Sequence, residues 1–153
     1  MESEEARRAN RALNKMSKLY REVKSRKLAA LGLHPGQDVL LWVLAQEEEG
    51  MTVSQLAERL GIEPPTATRT LARMERRELF RRVPVPADRR QVRIVLTEQA
   101  RGLVPGIEAA WDELAEETLG ALAPEQREAV VEALEDANDR LRELVEESVL
   151  TEE

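Results

Sequence analysis

Cysteine is absent from all 153 residues. That excludes a disulfide framework, a thiolate metal site and thiol-based redox sensing. Histidine occurs once, as His34, so no histidine cluster is available to hold a metal. Aromatic residues number four, Tyr20, Trp42, Phe80 and Trp111. That is too few for the stacking platforms used on RNA and single strands. No run of 18 apolar residues is present, and the acidic start MESEEARRAN does not read as a signal peptide. A cytoplasmic protein with no membrane contact is expected. A glycine-rich phosphate loop, paired histidines and a nucleophile–base set are all missing, which points away from an enzyme and from any cofactor.

What the chain does have is charge, unevenly distributed. Hydrophobic residues make up 42% and charged residues 35%, as in a soluble, helix-rich domain of ordinary size. The formal net charge is −7. Residues 59–101 nevertheless hold eleven Arg, no Lys and five acids, a local net of +6. Residues 102–153 hold three Arg against sixteen acids, and residues 1–58 balance nine against nine. Nucleic-acid binding responds to local potential, so an acidic total does not argue against it.

Periodicity supplies the elements. Leu13, Met16, Tyr20, Val23 and Leu28 form a stripe on a helix over 5–31, with Gly32 as its stop. A second helix is expected from His34 as N-cap and Pro35 at its first position; its run VLLWVLA is apolar on nearly all sides and belongs at the centre of the core. Thr52 and Gln55 have capping-box spacing for a short helix to Leu60, and Gly61 makes the turn into a helix over about 64–77 that opens with Pro64 and Pro65. At about 100° per residue, Thr66, Arg69, Thr70, Arg73 and Arg77 share one face of that helix, opposite Ala67, Leu71 and Met74. Such a strip of Arg and Thr suits phosphate oxygens and base edges.

Strands follow over 80–83 and 92–96, around a basic, proline-marked hairpin. Thr97 caps a helix carrying Leu103, Ile107, Trp111 and Leu114, which Pro105 should kink. Gly120 ends it, and Pro124 starts a last helix with Val130, Leu134, Ala137, Leu141, Leu144 and Val145 on one stripe, over the poor cap Ala123. The first five and last four residues are expected to be disordered.

The expected fold class is mainly α (α+β): a winged helix-turn-helix over 33–100, flanked by an N-terminal helix (1–32) and C-terminal helices (101–153). The flanking helices have apolar stripes with no place in a winged-helix core. They pack within the chain or, as two-fold recognition of DNA half-sites favours, form a homodimer. Leu13, Met16, Tyr20, Leu134, Leu141, Leu144 and Val145 would line that interface.

The residues resemble the MarR family of bacterial transcriptional regulators over nearly the whole chain. The marks are Thr68-Arg69 and Arg73 with Leu71 and Met74, Leu79 followed by Arg82, and Asp88-Arg89-Arg90 followed by Val95-Leu96-Thr97. The last of these is the strongest single match. Leu33, Pro35 and Gln37 resemble the family's second-helix start. The resemblance implies a homodimer on a palindromic double-stranded DNA operator, usually a repressor, often released by a small aromatic ligand. It places Thr68 and Arg89 with the DNA-contacting residues, sends Arg90 into the minor groove at the wing tip, and has Asp88 hold the Arg90 guanidinium. The alternative for Asp88 is a plain turn residue.

One departure is Glu78, where the family commonly has Gly. Either a left-handed residue costs about 1 kcal/mol of strain, or the helix ends differently. For an effector pocket, Tyr20, His34 and Trp42 are candidates; their bland readings are interface packing, a helix cap and core. A different functional class, a winged-helix protein-interaction subunit that does not read DNA, is disfavoured by the Arg-rich face and wing.

Overall fold

The computed structural model describes residues 2–150, with the side chains of Arg89 and of residues 148–150 outside the described part. The chain divides into two compact units, residues 1–112 and 113–153. The first holds α1 (Ser3–Ala29), α2 (Gln37–Ala45), β1 (Met51–Thr52), α3 (Val53–Leu60), α4 (Pro64–Glu75), β2 (Phe80–Val85), β3 (Asp88–Leu96), α5 (Glu98–Arg101) and the start of α6 (Val104–Leu119). The second holds the rest of α6 and α7 (Pro124–Leu150).

Helix α1 begins earlier than expected. Ser3, Glu4 and Glu5 are helical, and the two acids sit in the first turn, where the helix dipole favours them. Met1 and residues 151–153 of the expected disordered ends lie outside the described residues, whereas Leu150 is helical. The other end closes as a Schellman motif. Leu33 N–H donates to Leu28 O and Gly32 N–H to Ala29 O, with Gly32 at φ 67°.

The start of α2 corrects the expectation for His34. Gly36, at φ 97°, is the N-cap, and His34 and Pro35 form the turn before it. Two side chains from the first turn explain the shift. The Gln37 carbonyl oxygen accepts from His34 N–H at 3.0 Å, and Asp38 Oδ1 accepts from Gly36 N–H at 2.8 Å. Both donors are thereby satisfied without a capping His34. The rest of α2 is the centre of the core, as its sequence implies. Leu40, Leu41, Val43 and Leu44 are buried against Leu28, Leu33, Leu56, Leu71, Met74, Ile94 and Ile107. Each fully buried Leu or Ile contributes roughly 1.5–3 kcal/mol of transfer free energy.

The capping box at α3 is present in both directions: Gln55 N–H donates to Thr52 Oγ1, and Thr52 N–H donates to the Gln55 side chain. Gly61 then turns the chain left-handed at φ 63° into α4, where Pro64 and Pro65 occupy the first turn. The sheet is antiparallel in the order β1-β3-β2. Two-residue β1 is too short to alternate, which is why the sequence does not announce it. The hairpin strands run further than expected, from Phe80 opposite Leu96 to Val85 opposite Asp88, so its tip is only Pro86-Ala87. Pro84 lies on edge strand β2 beside a register shift, where a missing N–H is tolerated.

Thr97 caps α5 as expected, but the helix lasts four residues and α6 starts afresh at Val104. Pro105 therefore sits in a first turn rather than kinking a continuous helix, and its absent N–H has no intrahelical acceptor to lose. In the second unit, α6 ends at Leu119, beside Gly120. The weak cap Ala123 is supported from inside α7, because Gln126 accepts its N–H at 3.0 Å.

Candidate nucleic-acid interface

Helix α4 divides cleanly by face. Ala67, Leu71 and Met74 are buried, while Thr66, Thr68, Arg69 and Arg73 are exposed and Thr70 is partly so. The Thr70 hydroxyl donates to Thr66 O at 3.0 Å, which leaves its oxygen lone pairs as acceptors. Among the described residues, the guanidinium groups of Arg69 and Arg73 have no hydrogen-bond or ion-pair partner. They are available to an anion without an internal bond to break.

Arg77 is placed elsewhere. The helix stops at Glu75 with Arg76 as C-cap, so the 100° step no longer governs residue 77. Its guanidinium instead donates to the backbone carbonyl of Gly32, and to that of Leu31 at 3.4 Å. Immediately after it, Glu78 has φ 53° and is the one described non-glycine residue with positive φ. The helix end is therefore left-handed, and Glu78 occupies the conformation glycine would take. Thr97 Oγ1 donates to Glu78 O at 2.9 Å and holds that turn.

The wing is anchored to the helix by Arg82, which pairs with Glu75 at 3.2 Å and lies over the Phe80 ring. At its tip, Arg90 is exposed. Asp88 Oδ1 accepts the backbone N–H of Arg90 at 3.0 Å, not its guanidinium. The expected grip on the guanidinium is thus replaced by an Asx-type bond that shapes the turn, since a carboxylate two residues upstream reaches the main-chain donor first. The side chain of Arg89 lies outside the described residues.

A buried polar junction was not visible in the sequence reading. Asp38 is fully buried, pairs with Lys24 of α1 at 2.8 Å and accepts from Trp111 Nε1 of α6 at 2.8 Å. Lys24 also lies 5.6 Å from the centre of the Trp111 ring. Three helices of the first unit therefore meet on one carboxylate, both of whose oxygens are engaged, Oδ1 by Gly36 N–H and Oδ2 by Lys24 and Trp111. The signal was there: a lone acid at the head of an otherwise apolar run has to find partners.

Tyr20, His34 and Trp42 are not gathered into one cavity. The Trp42 ring lies against Trp111, 5.7 Å between centroids, and its Nε1 donates to Glu108. Tyr20 lines a surface groove with Ser17, Lys18, Lys24 and Gly36. His34 lines a neighbouring groove with Lys18, Arg21, Arg26 and Arg73. Among the described residues, no cluster of acids and histidine is disposed to hold a metal ion, and no helix is long and apolar enough to cross a membrane.

Comparison with known proteins falls on the same module. The MarR family model matches residues 33–92. The fold is shared with MepR of S. aureus, in a DNA complex, at 23% identity over 86% of this chain and 96% of that one, TM-score 0.78. A MarR transcriptional regulator from Methanosarcina mazei shares 22% identity over 89% and 97%, TM-score 0.75. BpsR of Bordetella bronchiseptica, whose DNA binding is regulated by 6-hydroxynicotinic acid, shares 23% over 85% and 92%, TM-score 0.75. The exposed Arg and Thr helix and the tip of the wing thus lie inside the segment that matches the MarR family model, and the chain shares the fold of solved MarR regulators.

Proposed function

We propose that this chain is a homodimeric repressor that reads a palindromic duplex operator with α4 and the wing. The observation that carries the reading is the exposed strip of α4. Arg69 and Arg73 stand beside Thr66, Thr68 and Thr70 with no internal partner among the described residues, within a stretch of net charge +6. Base edges would be read from the helix, phosphates met by the flanking Arg, and the minor groove entered by Arg90 with Arg89 beside it.

Dimerisation would use residues 1–32 and 101–153. Leu13, Met16, Leu19 and Tyr20 are exposed on α1, and Leu141, Leu144 and Val145 are each 58–63% exposed on α7. Leu134 is half-buried on the same helix. Apolar stripes of that length fit an obligate interface, typically above about 2,000 Å² in total. Release by a small aromatic effector is supported by the precedent of BpsR and by the grooves that carry Tyr20 and His34.

The test begins with duplexes enriched from a random pool by the full-length protein. An enriched inverted repeat, bound by a dimer in sedimentation, is the expected result. Failure to enrich any sequence, or a monomer at micromolar concentration, overturns the reading. The effector is then sought as an aromatic acid that lowers affinity for the enriched duplex.

A further inference from the structure

We infer that Arg77 is a positioning residue that clamps the end of the recognition helix to the end of α1, and does not contact DNA. The inference rests on the DNA-binding reading above and concerns how α4 is aimed.

The last carbonyls of a helix lack intrahelical donors and carry the negative end of its dipole. At the end of α1, the Schellman bonds from Gly32 and Leu33 satisfy Ala29 and Leu28. Past Ala30, the carbonyls of Leu31 and Gly32 receive the two terminal nitrogens of Arg77, 46 and 45 residues further along the chain. The planar fork of a guanidinium spans two neighbouring carbonyls; an ammonium is a single point donor. The fit is close, since a Cβ at Gly32 would lie 3.0 Å from the Arg77 guanidinium.

The chain is held on the other side too. Glu78, adjacent to Arg77, is left-handed, and its carbonyl is bound by Thr97 at the head of α5. The C-terminal end of α4 is thus tied both to α1 and to the start of α5. Arg73 and Arg69, about one and two turns earlier, inherit their direction from that anchorage. If α1 also forms the dimer, Arg77 sets the separation and tilt of the two recognition helices.

Arg77→Ala, Arg77→Lys and wild-type full-length protein are compared on the enriched duplex and on the same duplex with one base pair inserted between half-sites. Lys keeps the charge a phosphate would need and loses the fork. Both variants should bind the enriched duplex about ten-fold more weakly, the scale of a lost hydrogen bond or two. They should keep the wild-type salt slope and discriminate less between the two spacings. A merely structural role would leave that discrimination unchanged. In the free protein, amides of residues 28–34 should exchange faster in both variants.

Full affinity in Arg77→Lys, with a slope smaller by about 1 per chain in Arg77→Ala, would identify a phosphate contact and overturn the clamp. Unchanged spacing discrimination in both variants overturns it as well. Should the wild type enrich no duplex, the DNA reading itself fails. Amide exchange then decides the clamp separately: unchanged exchange in Arg77→Ala refutes it and faster exchange sustains it.

Discussion

Ten of the eleven arginines of residues 59–101, all but Arg89, fall into two sets that sequence alone cannot separate. Arg59, Arg77, Arg82, Arg93 and Arg101 are bound to Glu47, to the end of α1, to Glu75, to Glu49 and to Ala45 O, respectively. Arg69, Arg73, Arg76, Arg81 and Arg90 are exposed and have no such partner among the described residues. The first set braces the winged module, and the second faces outward along α4 and the wing. A charge count thus overstates the surface offered to DNA, because nearly half of it holds the protein together. The salt slope makes the difference measurable. The stretch should supply no more than about six phosphate-scale charges per chain, counting Arg89, where the sequence would allow eleven.

The largest effect should come from the inward side. Asp38→Ala leaves the partly buried Lys24 without its counter-charge and Trp111 Nε1 without its acceptor. A loss of about 3–5 kcal/mol is expected, the scale for removing one partner of a buried pair. Urea unfolding should show it as a lower midpoint, and a change under 1 kcal/mol would mean the junction is not an anchor.

On the outward side, Arg69→Ala and Arg73→Ala should each cost about 1–3 kcal/mol of binding and relax selectivity at one operator position, while unfolding midpoints stay within error. If stability falls instead, those arginines belong with the bracing set. Glu78→Gly tests the left-handed turn between the sets. It should raise stability by about 1 kcal/mol without altering the urea m-value, because glycine adopts positive φ without the side-chain clash.

The smallest effect sharpens the wing. Arg90→Ala should lower the salt slope by about 1 per chain. Asp88→Ala should weaken binding a few-fold by loosening the hairpin tip. Because Asp88 holds the Arg90 main-chain N–H, that bond survives in Arg90→Ala. The two substitutions should therefore add to within about 0.5 kcal/mol. Strong non-additivity would restore the grip on the guanidinium that the spacing first suggested.

The helices, the α4 faces, the capping box and the left-handed stops were legible because each has a local signature: a period, a cap pair or a glycine. The misreadings share a different cause. His34 looked like a cap until Gln37 and Asp38 folded back over the turn. Pro105 looked like a kink until Gly102 separated two helices ahead of it. Arg77 looked like part of the α4 face because angular extrapolation ran past the true helix end. In all three, a contact or an ending several residues away decided the outcome. At the Asp38 junction the lone acid is a local signal but its partners are not, since they lie 14 residues before it and 73 after it.

The two tryptophans of the chain stand together at that junction, with Trp111 touching a carboxylate and an ammonium. Indole emission responds to nearby charge, so the protein carries an unlabelled optical probe where α1, α2 and α6 meet. The recognition helix and the wing tip hold no tryptophan and are dark to it. Titration with duplex or with an aromatic acid thus has a built-in spatial filter: a change in emission colour signals motion between the helices, whatever happens on the outer face.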